Sequence, residues 1–149
     1  MLKIGFTGTQ DGLTGFQIQK LLCIVGQLND ISLIKEAHHG DCIGGDYVFH
    51  KLCNSCGVKL ILHPPVESCK RAFCNKEFKS EVECAVLEEK KYIDRNHDIV
   101  DNTNFLIACP RKDTEEVRSG TWATIRYARK QNKHIIIIYP ENVEVEECK

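Results

Sequence analysis

Residues 118–140 read RSGTWATIRYARKQNKHIIIIYP. A polar turn containing glycine leads into a helical stretch, and that stretch leads into a continuous apolar run. Ser119 is placed to cap the helix, which runs through Lys130. Arg126, Arg129 and Lys130 fall near its carboxyl end, where the helix dipole favours cations. HIIIIYP does not alternate between polar and apolar. Both faces of that strand are therefore expected to be buried, as in a parallel sheet covered by helices on each side.

The same alternation of strand and helix extends towards the amino terminus. Leu2 to Thr7 reads as a buried strand, followed by the turn GTQDG. Ile18, Leu21, Leu22 and Val25 recur at i, i+3, i+4 and i+7, which marks a helix face that Thr14 can cap. Ser32 to Ala37 is a second strand and HHGDCIGGD a Gly-rich loop. Val48, Phe49, Leu52, Cys53 and Cys56 mark another buried helix face, with Gly57 as its stop. Val58 to Leu62 is a third strand. Later come a helix over Tyr92 to Val100 and a strand over Asn104 to Ala108. The tail ENVEVEECK alternates weakly, as an edge strand or a frayed end. The fold class is α/β, with a mostly parallel central sheet.

Length and composition fit this reading. The chain has 149 residues, 42% hydrophobic and 28% charged, and is expected to form one domain over 1–149. Residues 66–91 are an irregular insertion with six acids and six bases. EVECAVLEEKK within it has good helix formers. The formal charge of −1 leaves no strongly basic face for a long phosphate track, which disfavours single-stranded DNA as a partner. The longest apolar run, Ile135 to Tyr139, is far below a membrane span. No secretory signal is visible, and nine cysteines are an odd number for a disulfide framework. A cytoplasmic location with reduced thiols follows. Cys23, Cys53, Cys56 and Cys109 fall on expected core elements, Cys42 in the second loop and Cys148 in the tail. Cys53-x2-Cys56 with Cys69-x4-Cys74 resembles a thiolate zinc set. However, Cys53 and Cys56 already fit a buried helix face and Cys84 competes, so no metal and no cofactor are expected.

Three polar, Gly-rich loops carry the chemistry: GTQDG, HHGDCIGGD and RSGTWAT. In an open parallel sheet, loops at the carboxyl ends of strands line one crevice. Small residues let a ligand approach the backbone there, and helix N-terminal amides attract anions. Asp41 and Asp46 supply carboxylates near this crevice, with Asp46 also a natural helix cap. His39 can bond a ligand or a neighbouring carbonyl. Arg71 can be recruited by a phosphate. Trp122 can stack on a base or sit in the core.

Residues 94–140 resemble the Rossmann-like SLOG domains, named for the Smf and LONELY GUY proteins. The Arg95-Asn96 pair is similar to the RN pair of the DNA-processing (DNA processing protein A, Smf) branch. SGTWATIRYA is similar to its SGSxxTAxxA, IGFTGTQ to its opening strand and loop, and GDCIGGDYVFH to its RGIDxxAH segment. The resemblance implies a three-layer Rossmann-like domain that binds a nucleotide-like small molecule, such as a signalling nucleotide, as sensor or sequestering protein, and forms a homo-oligomer. It assigns the ligand to Gly8, Thr9 and Gln10, to Gly40, Asp41, Gly44 and Asp46, to Arg95 and Asn96, and to Ser119, Gly120, Thr121 and Thr124. The LONELY GUY branch carries PGGxGTxxE where this chain has Ser119, Gly120 and Thr121, and Thr124 stands at the position of its glutamate. A nucleotide N-glycosidase (phosphoribohydrolase) is therefore an alternative activity, with Asp41 and Arg95 as catalytic candidates. Binding of single-stranded DNA is a second alternative.

Overall fold

The computed structural model describes residues 1–77 and 82–147. Seven strands and five helices follow one another as β1 (Leu2–Gly8), α1 (Gly15–Asp30), β2 (Ile34–His39), α2 (Gly45–Ser55), β3 (Leu60–Leu62), α3 (Cys74–Glu77), β4 (Cys84–Val86), α4 (Tyr92–Asp101), β5 (Phe105–Cys109), α5 (Gly120–Lys130), β6 (His134–Ile138) and β7 (Val143–Glu146). A short 3-10 turn, Ser68–Lys70, precedes α3. The strands form one sheet in the order β4-β3-β2-β1-β5-β6-β7. Every pairing is parallel except β6 with β7.

The unbroken apolar runs of β5 and β6 are buried on both faces. Phe105, Ile107, Cys109 and Ile138 join Ile4, Phe6, Leu21, Val25 and Phe49 in one core layer. Leu106, Ala108, Ile135 and Ile137 pack with Val100, Trp122, Ile125 and Ala128 in the other. This is a three-layer Rossmann-like arrangement. Trp122 is thereby committed to the core and not to base stacking.

Several expectations need correction. Ile18 and Leu22 are more than a third exposed, and Cys23 is exposed too. Gln17, Leu21 and Val25 face the sheet instead. The Gln17 amide donates to the carbonyls of Pro110 and Ile138, so a polar side chain occupies an apolar position by bridging two strand ends. EVECAVLEEKK is not helical where described. Cys84–Val86 pairs in parallel with β3 as β4 and forms the edge strand of the sheet. The second and third strands begin two residues later than expected. The tail is a paired edge strand. Residue 148 lies outside the described residues. Among these, no helix is long and apolar enough to cross a membrane.

Candidate functional site

The chain moves from β1 outward through β2, β3 and β4, then restarts on the other side of β1 with β5. This reversal is a topological switch point, where the loops leaving the strands splay apart and a crevice opens. The crevice here has a volume of about 630 Å³, within the range of small-molecule sites. Gly8, Thr9, Gln10 and Asp11 line it after β1, and Gly40, Cys42 and Asp46 after β2. Tyr92, Arg95 and Asn96 line it from α4, and Arg111, Glu116, Arg118, Ser119, Gly120 and Thr121 lead from β5 into α5. Glu67 and Lys70 reach it from the insertion.

The loops are held together by backbone. The Thr9 amide donates to the Cys109 carbonyl, and the Gly45 amide to the Thr9 carbonyl. Gly44 has φ +83°, and a Cβ there would meet the Gln10 carbonyl oxygen at 2.5 Å. Only glycine fits this crossing. At the far side, the Ser119 hydroxyl caps α5 by accepting from the Trp122 amide. The amides of Gly120 and Thr121 lie in the first turn of α5, where helix amides lack intrahelical partners.

Arg95 is the charged centre of the wall. It is only 6% exposed. Its guanidinium donates to the carbonyls of Gly40 and His63 and to Asn96 Oδ1, and it touches Cys42 Sγ at 3.7 Å. Among the described residues it makes no ion pair. Gly40 is required here, since a Cβ would overlap the guanidinium. Asp46 is not the cap of α2, because Gly44 holds that position. Its carboxylate accepts from the Cys42 amide at 3.1 Å. Burial pushes its pKa up to about 6, against the opposing pull of Arg95. Burial also pushes the Cys42 thiol up to about 11, so it is not a thiolate at neutral pH.

Of the sequence-derived ligand residues, Gly8, Thr9, Gln10, Gly40, Asp46, Arg95, Asn96, Ser119, Gly120 and Thr121 meet in this crevice. His39, Asp41, Gly44, Arg71 and Thr124 do not line it. Asp41 is wholly buried, and its carboxylate accepts from the Cys74 amide at 2.9 Å and Arg71 Nε at 2.8 Å. Arg71 is thus spent on Asp41 and Glu89. Thr124 donates back to the Gly120 carbonyl inside α5. The sequence reading does not place Asp11, Glu67, Lys70, Tyr92, Arg111, Glu116 or Arg118 on the wall. Lys70 and Glu67 sit in a segment whose folding no local pattern reveals.

The cysteines singled out as zinc candidates are not gathered. Cys53 is in the core while Cys69 is exposed. His39, His50 and Cys74 do place potential ligand atoms within 4.8 Å of one another. The proton of His39 is already assigned by hydrogen bonding. The Asp41 amide donates to His39 Nδ1 at 3.0 Å, so Nε2 carries the proton and donates to His50 Nδ1 at 2.9 Å. A metal-bound histidine needs the opposite arrangement, with its second nitrogen donating. Buried His39 is held well below the ordinary histidine pKa by desolvation, and so stays neutral.

No family model matches the chain, and no curated protein matches it by sequence. Solved structures do match. A DNA processing protein A from Helicobacter pylori, described by its single-stranded DNA binding mode, is 17% identical with a TM-score of 0.67, over 91% of this chain and 64% of that one. This chain therefore spans a little under two thirds of that structure. A molybdenum cofactor binding protein from Rippkaea orientalis is 16% identical with a TM-score of 0.67, over 92% of this chain and 76% of that one. TM1055, a structural genomics target, is 14% identical with a TM-score of 0.61, over 91% and 72%. At these identities the likeness establishes architecture: the chain has the Rossmann-like fold of DNA processing protein A, in keeping with the SLOG resemblance of its motifs.

Proposed function

We propose that the protein binds a nucleotide-like small molecule in the switch-point crevice, with a phosphate group at the amino end of α5 and in the field of Arg95. The observation that carries this reading is the state of Arg95. The buried guanidinium is held by carbonyls and forms no salt bridge among the described residues; Asp46 opposes it at longer range, and its positive charge stays available to an anion in the crevice. An anion entering the crevice would gain from that charge and from the first-turn amides of α5 together. Neighbours of this fold that are described as binding single-stranded DNA or a molybdenum cofactor support a ligand-binding role. The near-zero net charge favours a small ligand over a nucleic-acid track.

A second reading, cleavage of a nucleotide N-glycosidic bond, is favoured by Asp46. Its carboxyl lines the crevice with a pKa near 6, suited to general acid/base work. Thr124 offers no such group, and Asp41 is turned away from the crevice.

Thermal unfolding in the presence of millimolar nucleotides tests the binding proposal. At a concentration of about 100 Kd, mass action adds roughly 2.7 kcal/mol, which raises Tm by about 5–10 °C for a chain of this size. A nucleoside without phosphate should give little shift. Absence of a shift with every nucleotide tried would overturn the proposal. Release of free base from a nucleoside monophosphate, lost in Asp46→Asn, would establish the second reading.

A further inference from the structure

We propose that Glu36, His38 and His63 form an oriented hydrogen-bond relay that presents the bare Nδ1 of His63 to a second cavity. This cavity binds a small neutral ligand edge that pairs an N–H donor with an acceptor, the edge shared by primary carboxamides and amino-bearing nucleobases. Arg95 lines both this cavity and the crevice, but the proposal does not depend on the function assigned to the crevice.

The relay starts on one face of β2, where Glu36 and His38 are two residues apart and so point the same way. Glu36 Oε1 lies 3.0 Å from His38 Nε2, and His38 Nδ1 lies 2.8 Å from His63 Nε2. Burial opposes ionisation of Glu36, but the His38 hydrogen bond and the charges of Lys3 and Lys59 hold its carboxyl below the ordinary pKa. A carboxylate only accepts, so His38 carries its proton on Nε2. Burial lowers the His38 pKa, so the ring is neutral and its Nδ1 accepts. His63 must then donate from Nε2, which leaves Nδ1 with a lone pair. Burial holds His63 at a pKa of about 4, so it takes up no second proton at neutral pH. His63 is 3% exposed, and among the described residues no hydrogen bond reaches its Nδ1. Among the same residues, Trp122 Nε1 is the one fully enclosed side-chain nitrogen or oxygen without a partner. His63 Nδ1 is therefore open to the cavity that His63 lines.

Backbone contacts fix the walls of that cavity. The His63 amide donates to the His39 carbonyl at 2.8 Å, and the His63 carbonyl accepts from Arg95 at 3.2 Å. Pro64 follows and restricts His63 to extended backbone. The Leu87 amide donates to the Leu62 carbonyl at 3.0 Å and the Lys90 amide to the Pro64 carbonyl at 3.2 Å, so residues 87–90 run beside His63. Asp98 on α4 pairs with Lys90 at 2.6 Å. His63, Leu87, Glu88, Lys90, Arg95 and Asp98 surround about 190 Å³. Clefts for drug-sized ligands begin at about 300 Å³, so the occupant is one ring or one amide. Glu88 and Asp98 balance Lys90 and Arg95, and the wall selects no net charge. What it selects is a donor, because a ligand that leaves the buried lone pair unmet loses affinity. A carboxylate cannot donate. A primary carboxamide or the amino edge of adenine can, and each keeps an acceptor for the cationic side chains of the wall.

The test is nuclear magnetic resonance of the full chain with 15N-labelled histidine. Long-range 1H–15N spectra should show His63 protonated at Nε2 and bare at Nδ1; a proton on Nδ1 would overturn the relay. Nicotinamide and adenine are then titrated, each against a partner of similar shape without the donor, nicotinate and purine. At least one of the pair should move the His63 Nδ1 resonance along a saturating curve and bind at least about ten times more tightly than its partner. Whichever of the two binds more tightly tells a carboxamide site from a nucleobase site. Equal affinities within both pairs, or no saturating shift at millimolar ligand, would overturn the proposal. Leu87 is exposed, so Leu87→Trp should fold like the parent and fill the cavity, abolishing the His63 shift; undiminished affinity in that variant would place the ligand elsewhere and refute the site. Glu36→Gln offers His38 either an N–H or an oxygen, so the polarity of the relay is no longer fixed. The preference for the donor-bearing ligand should then fall to within about twofold, and a preference left intact would remove Glu36 as the positioning residue and refute the relay. None of these outcomes bears on nucleotide binding in the crevice, which is read separately from the amides of α5.

Discussion

Asp41 distinguishes a clamp from a catalyst, and its substitution gives a graded stability series. In Asp41→Ala, Arg71 loses its most buried partner and the Cys74 amide loses its acceptor. Removing one member of a buried pair costs about 3–5 kcal/mol. The lower end applies here because Arg71 keeps Glu89. Alanine at φ +55° adds roughly 1 kcal/mol of backbone strain. Asp41→Asn tolerates that φ and keeps one acceptor for the Cys74 amide, losing only the charge-assisted bond to Arg71, about 2 kcal/mol. Urea unfolding should therefore rank parent, Asp41→Asn and Asp41→Ala in falling order, with gaps of about 2 kcal/mol or more. Asp41→Asn should keep binding adenosine 5′-monophosphate, because Asp41 does not line the crevice. Two variants within about 0.5 kcal/mol of the parent would refute the clamp, and loss of monophosphate binding in a stable Asp41→Asn would return the residue to the site.

Three more predictions follow from the same contacts. His50 and His63 are held at a pKa of about 4 by burial, below the unfolded value near 6.5, so the unfolded chain takes up protons first. Their stabilising contribution is complete above pH 6.5 and lost as pH falls towards 4, up to about 3 kcal/mol each. Asp46 works in the opposite direction and returns a similar amount once between pH 6 and 4; urea midpoints at pH 7.5 and 4.5 should still fall, and a flat profile would contradict neutral buried histidines. Protonating Asp46 removes a negative charge from the crevice, so a phosphodiester ligand of constant charge should bind several-fold more tightly at pH 5.5 than at pH 7.5; calorimetry showing the reverse would place the anion away from Asp46. Gly40→Ala should displace Arg95 and weaken monophosphate binding at least tenfold while far-ultraviolet circular dichroism stays unchanged; undiminished affinity would remove Arg95 from the site.

Much of this architecture is legible along the chain. The helix 120–130 and the run 134–138 carry period and burial within single segments, so α5 and β6 appear where the sequence places them. The crevice residues that sit at strand ends and helix starts are legible for the same reason, since turn glycines and a capping serine act locally. Asp41 is different. Its role depends on Arg71 and Cys74, about 30 residues away, and nothing near it in sequence shows that its carboxylate turns from the crevice into the insertion. Strand β4 is likewise invisible, because Cys84–Val86 is extended only by pairing with β3 and its local composition favours helix. Gln17 is hidden by polarity, since only the folded chain brings the carbonyls of Pro110 and Ile138 to its amide.

The most direct test of the account follows the backbone amides in 1H–15N spectra while adenosine 5′-monophosphate is titrated into the protein. Binding at the switch point should shift the amides of Gly8, Gly40, Gly120 and Thr121 along one saturating curve, with the Arg95 Nε resonance moving in parallel. Saturating shifts confined to other parts of the surface, or none at millimolar nucleotide, would contradict it.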